Sequence, residues 1–374
     1  MLLHRLYRYV EPPDLALAAR RRSGMGIASR ADAVAAFREL GGRREPLVCT
    51  YVVDGLGGLR VADRSSEHVD CASGGPVLCA GELTLGPEGE VLEASNLSTG
   101  FCPEPTVWPA FAAAIEELDA AMPTWSHAFD FRRCDCGARV VLKDDPSCPE
   151  CDRTLPERWT FERALVRRGF VTLGDVDWVV DVIEEAAERD EDRVRVVADS
   201  PSEDPGLLIA LADGAGGTPG GRATAETLVD RFATERPRDV PAMQRLLAAC
   251  EVPGRASIVV ARLRANGTLL GLSAGDCRAD ARAGAWHSLT EGQPHARAGD
   301  GVPGRPFALA GVDAAFVASD GLWKALGSFS LERSLDVASP DLPFVWADTA
   351  RGRGTRPLDD VSAVIVRRIA SSSV

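Results

Sequence analysis

The sequence predicts an α+β protein of several modules, and three observations carry that prediction. Short aliphatic runs bounded by Gly or Asp alternate with helical segments along the 374 residues. Four of the ten cysteines crowd into residues 134–151, apart from the others. In the last half, aliphatic runs stop at an acidic residue: LLIALADGAGG (207–217), LLGLSAGDCRA (269–279), AAFVASDGLWKAL (314–326) and DDVSAVIVRR (359–368).

Length and composition set the bounds. A chain of 374 residues has room for two or three cored domains. Its 45% hydrophobic and 26% charged content is ordinary for a globular protein. No apolar stretch approaches the roughly 20 residues of a membrane span, and MLLHRLYRYVEPPDL lacks the core of a signal peptide, so a cytoplasmic protein without membrane contact is expected. A net charge of −13 argues against a nucleic-acid partner. Cys49, Cys71, Cys79, Cys102, Cys250 and Cys277 are scattered and read as small buried hydrophobes.

Residues 1–128 read as an α+β module of unknown function. LALAARRRSG and ADAVAAFREL are helix-like, and PLVCTYVVD, GLRVAD, GPVLCAGELTLG and EVLEASNL are strand-like with Gly and Pro breaks between them. A helix over 109–121 closes the module. His68, Glu82, Asn96 and Ser98 fall in a stretch rich in small polar residues, which reads either as a pocket or as ordinary hairpins.

Residues 131–155 form a cysteine module in which Cys134 and Cys136 precede Cys148 and Cys151. Two tight thiol pairs suit a closed tetrahedral zinc site of structural role. CPEC has the usual spacing, whereas CDC is one residue short; four unrelated thiols or a Cys148/Cys151 redox pair are the alternatives. Residues 157–184 are expected to be a helical connector, from ERALVRRGF and VDWVVDVIEEAAER. Residues 185–370 alternate strands with helices such as RATAETLVDRFATE and PAMQRLLAAC.

Converging carboxylates repel one another and remain ionised together only with cations among them. Carboxylates combined with a backbone carbonyl suit Mg²⁺ or Mn²⁺, so this half is expected to be a metal-dependent enzyme. RDEDRVRVV (189–197) adds Glu191 and Asp192 ahead of another strand.

The ordered series ERDEDRVRVV, LADGAGG, GDCRA, LTEG, VASDGLW and DDVSAVIV resembles the motifs of type-2C metal-dependent serine/threonine protein phosphatases over about 185–368. The resemblance implies an α/β/β/α sandwich with two Mn²⁺ or Mg²⁺ ions at one edge. It implies that Asp213 bridges both ions, that the Gly214 carbonyl and Glu191 bind the second, and that Asp320 and Asp359 bind the first. It gives Asp192 the attacking water to orient, and Asp276 a weaker third ion. A phosphorylated protein is the implied substrate, with a serine/threonine kinase as counterpart.

Several positions depart from the family. Its phosphate-binding Arg falls at Ala187, with Arg189 two residues away as the substitute. Ala215 stands in the His position of DGHGG, Lys324 ends DGLWK in place of Asp, and Asp360 stands where Asn is common. His287 and His295 near LTEGQPH are either a general acid or surface residues. The competing functional readings are a pseudophosphatase acting as a binding scaffold, and a first module that is itself active around His68 and Glu82.

Overall fold

The structure is a computed structural model describing residues 1–10, 12–43, 45–118, 122–199, 205–215, 220–292, 296–337 and 339–369. The chain divides into two compact units, one of His4–Arg163 and one of Met1–Leu3 with Ala164–Val374. No helix among the described residues is long and apolar enough to cross a membrane.

The first unit holds a five-stranded antiparallel sheet in the order Met25–Ile27, Leu59–Asp63, Leu47–Asp54, Val77–Leu85, Val91–Ala94. The strand-like runs of the sequence fall on these strands. ADAVAAFREL is the helix Arg30–Glu39, entered through a reciprocal cap in which Asp32 N donates to Ser29 Oγ at 3.2 Å and Ser29 Oγ to the Asp32 carboxylate at 2.8 Å. The helix expected over 109–121 is shorter, Trp108–Ala114 followed by a 3₁₀ turn at Glu116–Leu118.

The second unit is a sandwich of two antiparallel sheets. One runs Leu165–Leu173, Val176–Glu185, Val361–Arg368, Ala314–Ala318, Arg278–Ala283, Ala285–Ser288. The other runs Asp192–Ala198, Gly206–Gly214, Ala256–Arg264, Leu269–Ala274, Arg305–Leu309. Strand alternation sorts the core. Leu207, Ile209 and Leu211 face the other sheet with Val180, Val182, Val364 and Val366. Leu208, Ala210 and Ala212 point outward and pack on Leu228, Phe232 and Met243 of the helices Gly221–Glu235 and Val240–Ala248. Helices Asp320–Leu326 and Leu342–Arg351 pack on the outer face of the first sheet, where Trp346 meets Phe316 edge-on at 5.7 Å. The layering is therefore α/β/β/α.

The helical connector expected at 157–184 is corrected. Leu165–Leu173 and Val176–Glu185 form a β-hairpin belonging to the sandwich. The acidic, alanine-rich tail EEAAER lent the segment a helical look, but Val176, Val179, Val180, Val182 and Ile183 are β-branched and favour a strand covered on both faces. The hairpin also buries charge. Arg168 and Asp181 are 2% and 0% exposed and joined at 2.5 Å and 3.0 Å, with Arg367 Nη2 on the same carboxylate at 2.9 Å. Removing the shared anion takes the carboxylate from the buried Arg168 and the partly buried Arg367, so Asp181→Ala is expected to destabilise the unit by about 3–5 kcal/mol in denaturant titration.

Candidate metal centre

The strand that places Asp213 also sets its direction. Asp213 has the parity of Leu207, Ile209 and Leu211, so its carboxylate lies on the inter-sheet face at the strand's end. Asp192 is its cross-strand partner and shares the parity of the core residue Val194. Both carboxylates therefore emerge at the same edge of the sandwich.

Glu191 sits in the loop before Asp192, and that loop is held from the opposite sheet. The Asp360 carboxylate accepts Ala187 N at 2.6 Å, Glu191 N, and Asp192 N at 3.3 Å. An Asp in place of the expected Asn can accept all three amides, which accounts for the departure at this position. Ser319 Oγ donates to Asp360 O at 3.3 Å and accepts Ser362 N at 3.0 Å, tying together the strand ends that carry Asp320 and Asp359. A Cβ on Gly321 would fall on the Asp360 carbonyl, so the SDG glycine permits the helix start to approach that loop. Gly214 N bonds Glu191 O at 3.3 Å, and Glu191 Oε1 lies 3.0 Å from where a Gly221 Cβ would stand, at the N-terminus of the Gly221–Glu235 helix.

Asp213, Asp276 and Asp320 offer carboxylate oxygens that all lie within 4.8 Å of one another. Among the described residues Glu191, Asp192 and Asp359 stand beside this group rather than within it: Asp192 feels the charge of Asp213, Asp359 that of Asp320, and Glu191 that of Asp359. Burial, then crowding by Asp320, Asp276 and Asp359, pushes the Asp213 carboxyl up to about 7, against the pull of Arg297. Burial and the neighbouring Asp213 push Asp192 well up, and its Oδ2 is buried with no hydrogen-bond partner among the described residues. Burial also raises Glu191 and Asp359, with Arg189 opposing in both cases. Asp276 differs: burial is outweighed by the Ser257 hydroxyl, Lys324 and Arg297, which hold it below the usual carboxylate range.

This donor set fits a hard divalent cation. Three carboxylates meeting at one edge, the raised proton affinity of Asp213, Asp192, Glu191 and Asp359, and a buried orphan oxygen on Asp192 together suit a positive charge among oxygen ligands. The residues able to hold such ions are Asp213, Asp276 and Asp320, with Glu191, Asp359 and the Gly214 carbonyl beside them. Arg189 is exposed and near enough to Glu191 and Asp359 to act on both charges. Sequence reasoning overlooked Arg297, whose guanidinium lies 3.8 Å from Asp276, because nothing local distinguishes it from other loop arginines.

His287 is exposed on the edge strand Ala285–Ser288, paired with Ala281, and His295 lies outside the described residues. In the first unit, His68 Nε2 contacts Gly81 O at 3.0 Å, and Arg64 Nε donates to Glu82 at 3.3 Å. Asn96 donates to Pro103 O and Phe129 O and accepts Phe129 N, all within 2.9 Å, so its amide locks backbone rather than facing a ligand. Ser98 is buried, its hydroxyl unpaired among the described residues.

The cysteine module is a hairpin, Phe131–Arg133 with Arg139–Val141, followed by a second knuckle. Cys134 Sγ lies 3.5 Å from Cys151 Sγ, and Cys136 Sγ lies 3.7 Å from Cys148 Sγ. Four sulfurs at zinc's bond length in a tetrahedron stand about 3.8 Å apart, so the set fits that ion. The short CDC pair is accommodated because Gly137, at φ 96°, lets its N–H close a turn on Cys134 O at 2.8 Å.

No protein-family model and no curated protein matches the chain. Among solved structures, serine/threonine phosphatase Stp1 from Staphylococcus aureus is 13% identical, over 51% of this chain and 95% of its own, with a TM-score of 0.40. PppA, a regulatory component of T6SS in Pseudomonas aeruginosa, is 20% identical over 51% of this chain and 98% of its own, with a TM-score of 0.40. RsbX in complex with magnesium is 15% identical over 55% of this chain and 100% of its own, with a TM-score of 0.44. About half of this chain thus aligns with each of these three structures over nearly the whole of their length.

Proposed function

We propose that the second unit is a metal-dependent protein phosphatase that hydrolyses phosphoserine and phosphothreonine esters of a cytoplasmic protein substrate, opposing a serine/threonine kinase. The observation that supports this most directly is the meeting of Asp213, Asp276 and Asp320 within 4.8 Å at a sandwich edge. Two Mn²⁺ or Mg²⁺ ions bound there would supply Lewis acidity toward the phosphoryl oxygens and a more acidic water.

The chain's own part is placement and charge. Asp360 clamps the 187–192 loop, which presents Glu191 beside Gly214 and Asp192 beside Asp213. The free Oδ2 of Asp192 accepts a hydrogen bond from the attacking water and so fixes its direction. Arg189 takes the phosphoryl oxygens, as its exposure and its nearness to Glu191 and Asp359 allow. Four cysteines hold one structural Zn²⁺, and the first unit recognises the substrate or a partner.

The test is hydrolysis of p-nitrophenyl phosphate and a phosphothreonine peptide by the full chain with Mn²⁺, with and without chelator. Turnover that appears with Mn²⁺ and vanishes with chelator is expected. A folded, Mn²⁺-supplied protein inert toward both would instead mark a scaffold that binds phosphorylated partners. Ala187 and the Lys324–Asp320 ion pair at 2.6 Å are the features that favour this second reading.

A further inference from the structure

The cations around the acidic cluster are unevenly placed. Lys324 follows Asp320 by one turn on the Asp320–Leu326 helix, so both side chains share a face. Its Nζ lies 2.6 Å from Asp320 Oδ2 and 3.4 Å from Asp276 Oδ2. Those are two of the three carboxylates in the compact group. The remaining oxygen of Asp276 accepts Ser257 Oγ at 2.7 Å and faces Arg297 at 3.8 Å. Both oxygens of Asp276 are therefore occupied by the chain's own donors. Asp192, across the centre, keeps a buried oxygen with no partner among the described residues.

We propose that Lys324 is a tethered cation standing in for one divalent ion on the Asp276 side of the centre, so the chain holds fewer divalent ions than its carboxylates would otherwise accept. This rests on the metal-dependent reading above and deepens it. An ammonium carries three donors, enough to bridge two carboxylates. A divalent ion between Asp276 and Asp320 would sit within a few ångström of Nζ and be repelled by it. The lysine side chain is 53% exposed, so it can be replaced without disturbing the core.

The experiment is a Mn²⁺ titration followed by electron paramagnetic resonance of the free ion, on the full chain and its Lys324→Gln and Lys324→Asp variants. Thermal melts establish that all three are folded. Lys324→Gln is expected to bind one more Mn²⁺ per chain than the unsubstituted protein, and Lys324→Asp to bind that ion about tenfold tighter still. Equal stoichiometry and affinity in the three proteins would overturn the inference and leave the phosphatase reading standing. If only the variants bind Mn²⁺, the role of Lys324 is supported and the metal-dependent activity of the natural chain is lost. Failure of all three to bind would overturn both.

Discussion

Asp213→Asn is expected to lower Mn²⁺-dependent hydrolysis about 10³-fold while making the metal-free protein more stable at neutral pH. The loss follows from position: Asp213 offers an oxygen within 4.8 Å of the Asp276 and Asp320 oxygens, and its strand sets it opposite Asp192. An amide keeps the shape but removes the anion and one acceptor. The gain follows from crowding. Burial, Asp320, Asp276 and Asp359 raise this carboxyl from 3.8 to about 7. Between those values the folded metal-free protein holds a proton that the unfolded chain has released. Its stability is therefore full below the lower value and falls as pH rises through the upper one. Asn cannot ionise, so the variant should escape that decline, by on the order of 2 kcal/mol at pH 8. Melting of both proteins in chelator from pH 4 to 8, with turnover measured in parallel, checks both halves. A variant that retains activity would sink the central role of Asp213. A variant that melts lower across the range would show that its carboxylate is stabilised by contacts other than those described.

If the four cysteines hold zinc as proposed, replacing Cys148 with Ser is expected to abolish zinc binding and unravel the knuckles of residues 131–155 while leaving the p-nitrophenyl phosphate turnover proposed for the second unit unchanged. Cys148 is buried, with Cys136 at 3.7 Å, while Phe131 and Val141 at the base of the hairpin are anchored in a separate cluster with Cys102 and Phe161. The knuckles' own apolar cluster consists of Cys134, Cys148 and Leu155, with Ala138, Val140, Leu142 and Cys151 at its margin. So small a core cannot offset the entropy of ordering the segment, and in such modules metal binding supplies the folding free energy. Metal analysis should fall from one zinc per chain to none. Protease cleavage within 131–155 should accelerate about a hundredfold, since the local opening free energy collapses. A Cys148→Ser protein that keeps both its zinc and its protease resistance would refute the four-sulfur site. An active Cys148/Cys151 redox couple would show instead as a reversible disulfide. The cross-pair approach of Cys134 to Cys151 and Cys136 to Cys148 does not favour that couple.

What is legible in the chain is what depends on neighbours in sequence. The apolar runs bounded by Gly and Asp became the strands Gly206–Gly214, Leu269–Ala274, Ala314–Ala318 and Val361–Arg368, because period and turn chemistry act over a few residues. The acidic residues at their ends are visible for the same reason, as is the paired spacing of the four cysteines. The hairpin Leu165–Leu173/Val176–Glu185 is not legible in sequence because its decisive feature, cover by the facing sheet on one side and the helix Leu342–Arg351 on the other, is supplied by segments far away in the chain.

Tertiary structure alone decided how those ends meet. The register that sets Asp192 opposite Asp213 and the reach of Asp360 to Glu191 across 169 positions are long-range pairings that no window of sequence contains. The same holds for Lys324, which in sequence is one altered motif letter and in the fold an ammonium bridging Asp276 and Asp320. Local patterns act through backbone geometry and are written residue by residue. The electrostatics of a site depend on which charges lie within a few ångström, and only the packed sandwich brings them there.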